Sequence, residues 1–64
     1  MARSEHAVRA QVKRLDRADC QRLLEDVGIA VYDHEKVGTL RTAVVVNVLD
    51  GTIRLDALDA LDAA

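Results

Sequence analysis

The apolar residues of this chain recur mostly at steps of three and four, the spacing of helices that bury one face. This spacing predicts three helices, near residues 4–15, 16–27 and 33–50. Ser4 and Asp16 are suited to cap the first two helices, and Gly28 is suited to end the second in a left-handed conformation. Because neither Gly nor Pro occurs between Ser4 and Val27, one long helix is the alternative to a break at Asp16.

The third predicted helix begins with Asp33 as its N-cap and leads into the densest apolar run of the chain, Thr42–Leu55. This run also fits a β-hairpin over Val44–Leu55, because Asp50-Gly51 favours a type I′ turn. Its β-branched valines weaken the helix, whereas a lone two-stranded ribbon is marginal in water. The predicted fold is therefore all-α, a compact bundle of three or four short helices in a single small domain, 1–64. The alternative is α+β, with helices followed by the hairpin.

The chain ends in an acidic repeat of Leu, Asp and Ala over residues 55–64. On a helix, Leu55, Leu58 and Leu61 share one face, with aspartates beside them. Two interpretations follow: a short acidic helix docked on the same core, or a helix that binds a partner.

Charge is unevenly distributed along the 64 residues, whose net charge is −2. Residues 1–24 hold six Lys/Arg against three Asp/Glu, and residues 25–64 hold three against eight. His6, Arg9, Lys13 and Arg17 follow one another at steps of three and four and form a basic stripe, which is either solvated or a contact surface for an acidic partner. The acidic remainder disfavours general binding to duplex nucleic acid.

Candidate chemistry is sparse. Cys20 falls on the predicted core face, where it would pack against Leu15, and a buried thiol in apolar surroundings is inert. His6 and His34 are far apart in sequence, and neither belongs to a metal-binding spacing. We therefore expect no enzymatic activity, no cofactor, no metal and no small-molecule substrate. A single cysteine and the lack of a long apolar run predict a chain without a membrane span, located in the cytoplasm or in a particle assembled there.

Residues 16–46 resemble the helix–extended–helix family, which includes SAP motifs, LEM domains and the N-terminal module of the Rho terminator. The resemblance lies in Leu23-Leu24-x-x-x-Gly28-Ile29, followed by Glu35-Lys36 and Leu40-Arg41. It implies two short helices that flank an extended linker. SAP-type members bind nucleic acid through the second helix and the linker, whereas LEM-type members bind a protein.

These observations together predict a non-enzymatic protein-interaction module, a small accessory or assembly subunit of bacterial or viral origin. It would act through an aliphatic face flanked by a basic N-terminal helix and an acidic C-terminal tail. Its partner is another protein or a second copy of the chain. The residues predicted to bind the partner are Arg9, Lys13, Arg17, Leu55, Leu58 and Leu61. The alternative is a nucleic-acid-binding regulator of helix–extended–helix type, with contacts from Arg9, Lys13, Arg17, Lys36 and Arg41.

Overall fold

A computed structural model describes residues 3–63 of the chain. These residues form four helices, α1 (Glu5–Lys13), α2 (Arg17–Asp26), α3 (Val37–Leu49) and α4 (Leu55–Asp62). The prediction of an all-α bundle of short helices is thus confirmed for the described part. Ala64, the last residue of the predicted tail, lies outside it.

The first two helices begin where their caps were predicted. The Ser4 hydroxyl accepts a hydrogen bond from the Ala7 N–H at 3.1 Å, and the Asp16 carboxylate accepts one from the Asp19 N–H at 2.9 Å. α1 ends at Lys13, so the single long helix does not form. Leu15, in the connection between the helices, is buried together with Cys20, as a hydrophobic staple requires.

α2 ends in a Schellman motif at Gly28. The N–H of Ile29 donates to the carbonyl of Leu24 at 3.0 Å, and the N–H of Gly28 donates to that of Glu25 at 3.0 Å. Gly28 has φ +83°, a conformation that costs any residue with a Cβ roughly 1–2 kcal/mol. The half-buried Ile29 side chain packs on the core, so the chain leaves α2 in a fixed direction.

The hairpin alternative over Val44–Leu55 is wrong, because these residues form the end of α3, a turn and the start of α4. Gly51 adopts φ +89° as the residue after the C-cap, and the N–H of Ile53 donates to the carbonyl of Asn47 at 2.9 Å. The carboxylate of Asp50 accepts from the Thr52 N–H at 2.9 Å, which stabilises the turn. An Asp-Gly pair suits both a type I′ turn and a helix C-terminus, because each needs a residue with positive φ.

The predicted start of the third helix at Asp33 is also wrong, since α3 begins at Val37 with Lys36 as its N-cap residue. A single turn does form before it: the N–H of Tyr32 donates to the Glu35 carboxylate at 2.8 Å, and the N–H of Glu35 donates to the Tyr32 carbonyl at 3.0 Å. The turn does not continue into a helix, because the guanidinium of Arg17 occupies the carbonyls of Asp33 and Glu35, which the next helical hydrogen bonds would use.

The core is aliphatic and is organised around α3, which packs against both α1 and α2. α4 closes one end by packing on the same two helices. The buried residues come from all four helices and from both shorter connections: Val8, Val12, Leu15, Cys20, Leu23, Leu24, Leu40, Val44, Val45, Val48, Ile53 and Leu58. The outer side of α3 and the grooves between helices are among the surfaces left exposed.

Candidate interaction surface

Arg17, predicted to bind a partner or nucleic acid, contacts the connection between α2 and α3 of its own chain. Its guanidinium donates to the carbonyls of Tyr32 at 3.0 Å, Asp33 at 3.4 Å and Glu35. Three carbonyls around one charged donor hold this connection against the start of α2. The structure therefore assigns Arg17 to the stability of the loop.

Arg41 has a comparable structural contact. Its guanidinium donates to the carbonyl of Leu15 at 2.8 and 3.3 Å and so links the middle of α3 to the connection between α1 and α2. Lys36, by contrast, is exposed at the N-terminus of α3. Two of the five residues of the nucleic-acid hypothesis therefore use their guanidinium groups within the chain.

Three of these basic residues do lie around one groove between α1 and α3. Arg9, Lys13 and Arg41 line a depression of about 150 Å³ together with Val12, Thr42 and Val45. Arg9 also forms an exposed ion pair with Glu5 one turn away, at 2.9 Å. The groove thus has a basic rim of modest strength over an apolar floor.

The leucines of the acidic tail contribute to the core of the domain. Leu58 is completely buried, and Leu55 and Leu61 are half-buried against the core. The docked-helix interpretation of the tail is thus the one that the structure supports. Leu58 is not accessible to a partner while α4 stays docked.

A network of charged side chains holds α4 against α1. Arg3 binds the carboxylate of Asp59 with two hydrogen bonds, at 2.6 and 3.0 Å, and Arg14 binds that of Asp62 in the same way, at 2.9 and 2.6 Å. Gln11 lies between them and donates to both carboxylates, at 2.8 and 3.2 Å. The bonds from Arg3 and then Gln11 lower the pKa of Asp59 to about 2, and those from Arg14 and Gln11 lower the pKa of Asp62. Two basic residues before α2 and two acidic residues of α4 are therefore paired within one molecule.

This network predicts that acid weakens the docking of α4. The pKa of Asp59 is lower in the folded chain than the roughly 3.9 of an aspartate in an unfolded chain. The ionised Asp59 therefore stabilises the fold fully above pH ~3.9, and this stabilisation is lost as pH falls toward about 2. We expect Asp59→Asn to be less stable than the wild type at neutral pH and to lose less further stability on acidification. Urea unfolding at several pH values measures both effects.

Asp56→Asn is the matched control, since Asp56 lies on the same helix in an exposed pair with Arg54. It should follow the wild-type dependence on pH. An Asp59→Asn variant with the full wild-type loss in acid would contradict the role given to the network.

The surface that sequence analysis missed is the outer side of α3. Four uncharged residues, spaced by three, four and three, are exposed along it: Thr39, Thr42, Val46 and Leu49. We call them the α3 stripe. The Val46 side chain is 53% exposed and that of Leu49 is 44% exposed, although α3 carries apolar residues on every side. Helices that are apolar all round are normally buried on all sides.

The signal for this stripe was present in the sequence. The core positions of α3 repeat at Leu40, Val44 and Val48, and a second set of uncharged residues recurs at steps of three and four on the opposite face. The density of the apolar run fits a helix or a hairpin, and it also fits a helix with two apolar faces, which is the arrangement in the structure.

Two polar side chains, Thr42 in the stripe and Asn47 next to it, are hydrogen-bonded within α3. The Thr42 hydroxyl donates to the Gly38 carbonyl at 3.0 Å, and the Asn47 side-chain amide donates to the Ala43 carbonyl at 2.7 Å. Covering the stripe would leave neither of these donors unpaired, which removes a common cost of burying polar groups.

The residues considered for catalysis are not brought together. Cys20 is fully buried, and burial raises the pKa of its thiol. His6 is exposed on α1. His34 is exposed in the connection between α2 and α3 and stacks on Tyr32, with 5.9 Å between the ring centroids. Within residues 3–63, no group of three or more His, Cys, Asp or Glu side chains could hold a metal ion. None of the helices in that part combines the length and apolar character needed to cross a membrane.

Comparison with known proteins adds no relative. A scan against protein-family models gave no match, and neither the curated proteins nor the solved structures include one that matches the chain. Residues 3–63 form an all-α domain of four helices. The outer side of α3 exposes the apolar side chains of Val46 and Leu49.

Proposed function

We propose that this protein is a non-enzymatic interaction module, and that its contact surface is the α3 stripe. One observation carries the proposal: α3 is apolar on all sides, yet Val46 and Leu49 face solvent on a domain whose core is closed without them. Covering exposed aliphatic side chains is favourable by about 25 cal/mol per Å² of apolar area. A partner that packs along α3 would gain this free energy. Binding through an aliphatic face in this manner suits an accessory or assembly subunit.

Several of the basic and acidic residues have partners within the chain. Arg17 stabilises a loop, and Asp59 and Asp62 are paired within the molecule. Orientation of a partner is therefore better ascribed to charges that border the stripe, namely Lys36 and Asp50 at the two ends of α3 and Lys13 on the rim of the adjacent groove.

Site-directed photo-crosslinking in the cells that produce the protein tests the proposal. A photoreactive amino acid at position 46 should give a covalent adduct of defined mass, because Val46 lies in the centre of the proposed contact surface. The same amino acid at position 10, exposed on the outer side of α1, is the matched control and should give none. No adduct at position 46, or equal adducts at both positions, would contradict the proposal.

Nucleic-acid binding is the second candidate, because Arg9, Lys13 and Arg41 line one groove. Phosphates would bind at the rim of this groove, and affinity would fall steeply with salt concentration. The test is a salt titration of binding to a duplex. A steep salt dependence that is reduced in Lys13→Ala would support this candidate, and no binding at low salt would exclude it.

A further inference from the structure

The geometry points to a second copy of this chain as the occupant of the α3 stripe, with the two α3 helices packed antiparallel across a twofold axis. This inference rests on the proposed function, since it names the partner for the same surface. Three features of α3 carry it: the spacing of the stripe, the distribution of charge along the helix, and the uncompensated helix ends.

The spacing of the stripe suits helix–helix packing. Thr39, Thr42, Val46 and Leu49 follow the alternation of three and four residues that places side chains along the seam between two helices. Gly38 and Ala43, at the edges of the stripe, are small and allow the helix backbones to approach closely. A Cβ added at Gly38 would meet no atom within 4 Å, so the chain itself leaves that space open.

The stripe is self-complementary. It holds no charged residue, so two copies can face each other without repulsion. In an antiparallel pair centred near Val44, Thr42 of each copy faces Val46 of the other, and Thr39 faces Leu49. Both contacts occur twice by symmetry, as an isologous interface requires.

Charge at the ends of α3 favours the antiparallel direction. Lys36 and Asp50 are both exposed and lie fourteen residues apart, close to four full turns, so they border the same edge of the stripe. Antiparallel packing brings Lys36 of each copy next to Asp50 of the other. Parallel packing would instead place lysine beside lysine and aspartate beside aspartate.

The helix ends favour the same direction. α3 has no acidic residue in its first turn, no basic residue in its last turn and no side-chain cap at its N-terminus. Its partial charges at the two ends are thus uncompensated by its own side chains. In an antiparallel pair, the N-terminus of each α3 lies beside the C-terminus of the other, and the two dipoles compensate each other.

The size of the surface predicts a dimer that dissociates on dilution. A stable interface covers about 800 Å² per partner, which is roughly a fifth of the 4279 Å² accessible surface of this chain. α3 has 13 residues and is ~20 Å long, so the stripe and its edges provide less than that area. The interface therefore falls in the class of weak, concentration-dependent contacts.

Sedimentation equilibrium of the full chain tests the inference over about a hundredfold range of concentration. The wild-type mass should rise from that of one chain, 7.0 kDa, toward twice that value. Val46→Lys should keep the single-chain mass throughout, and it should stay folded, because position 46 is exposed and lysine is a good helix former. Ala10→Lys, which adds the same charge on the outer side of α1, should behave as the wild type does.

Mixing two charge variants tests the direction of packing. Lys36→Asp alone and Asp50→Lys alone should each dimerise about tenfold more weakly than the wild type, because each puts like charges together twice. An equimolar mixture should regain dimerisation, since every facing pair in the mixed dimer is again of opposite charge. High salt should screen the repulsion and restore the Lys36→Asp homodimer. This second readout leaves Asp50 in place, so it does not disturb the turn that Asp50 stabilises.

The outcomes separate this inference from the proposed function. A wild-type mass of one chain at all concentrations, together with a crosslink from position 46 to a protein of different mass, would overturn self-pairing and leave the interaction module standing. A single-chain mass with no crosslink would overturn both. Single variants that dimerise as tightly as the wild type would overturn the antiparallel arrangement, because parallel packing only exchanges one like-charge pair for another. A mixture that dimerises no better than its separate components would overturn it as well.

Discussion

Replacing Leu58 with alanine is expected to lower the free energy of unfolding by about 2–5 kcal/mol. Leu58 is fully buried beneath α4, and its loss leaves a cavity between α4 and the helices beneath it. A domain of this length has a total stability of about 3–10 kcal/mol, so the substitution should remove a large share of it. Urea unfolding followed by far-UV circular dichroism measures the loss.

Leu61→Ala provides the matched control for Leu58→Ala. It removes the same side chain from the same helix, but Leu61 is only half-buried. We expect about half of the Leu58 effect, because the transfer free energy follows the apolar area that is removed from water. Equal effects at both positions would mean that α4 is not docked through Leu58.

Replacing Arg17 with lysine is expected to destabilise the fold by about 1.5–3 kcal/mol, the range for hydrogen bonds made by charged groups. A lysine keeps the charge but cannot present the planar fork that contacts the carbonyls of Tyr32, Asp33 and Glu35. The loss should be accompanied by faster hydrogen exchange in the connection between α2 and α3. Urea unfolding and amide exchange together provide the measurement.

Arg22→Lys is the control for this prediction, since Arg22 is exposed on the same helix. Its effect on stability should lie within about 0.5 kcal/mol. If Arg17→Lys left stability unchanged and weakened a binding reaction instead, the original interpretation of Arg17 as a partner-binding residue would be correct.

Local signals in the sequence were sufficient for the parts of the fold that depend on local chemistry. Ser4 and Asp16 cap helices through their own side chains, and Gly28 provides the positive φ of a Schellman motif. Each of these features acts within a few residues, so a single sequence contains all the information needed to predict it.

The start of α3 depends on a contact that is distant in sequence. Asp33 has the side chain of a good N-cap, but Arg17, sixteen residues earlier, interacts with the carbonyls that a helix starting there would use. Nothing in the local pattern around Asp33 indicates this competition. The ambiguity at Asp50-Gly51 has a different origin, because both candidate structures need the same backbone conformation at Gly51.

The candidate contact surface was predicted only in part. Sequence analysis indicated an aliphatic face between basic and acidic segments, and it assigned that face to Leu55, Leu58 and Leu61. These leucines instead pack on the core of the domain, and Arg3 and Arg14, which were not singled out, pair with the acidic helix. Which of two apolar faces is buried depends on how the helices pack, and periodicity alone does not determine that.

The central claim is that two copies of this protein contact each other through the α3 stripe. The most direct test is a dilution series of the isotopically labelled chain, followed by the backbone amide chemical shifts. We predict that the shifts that change with concentration belong to Thr39, Thr42, Val46, Leu49 and their neighbours on α3, and that Val46→Lys abolishes the change. Concentration-dependent shifts confined to α4 or to the groove of Arg9 and Lys13, or none at any concentration, would contradict the account.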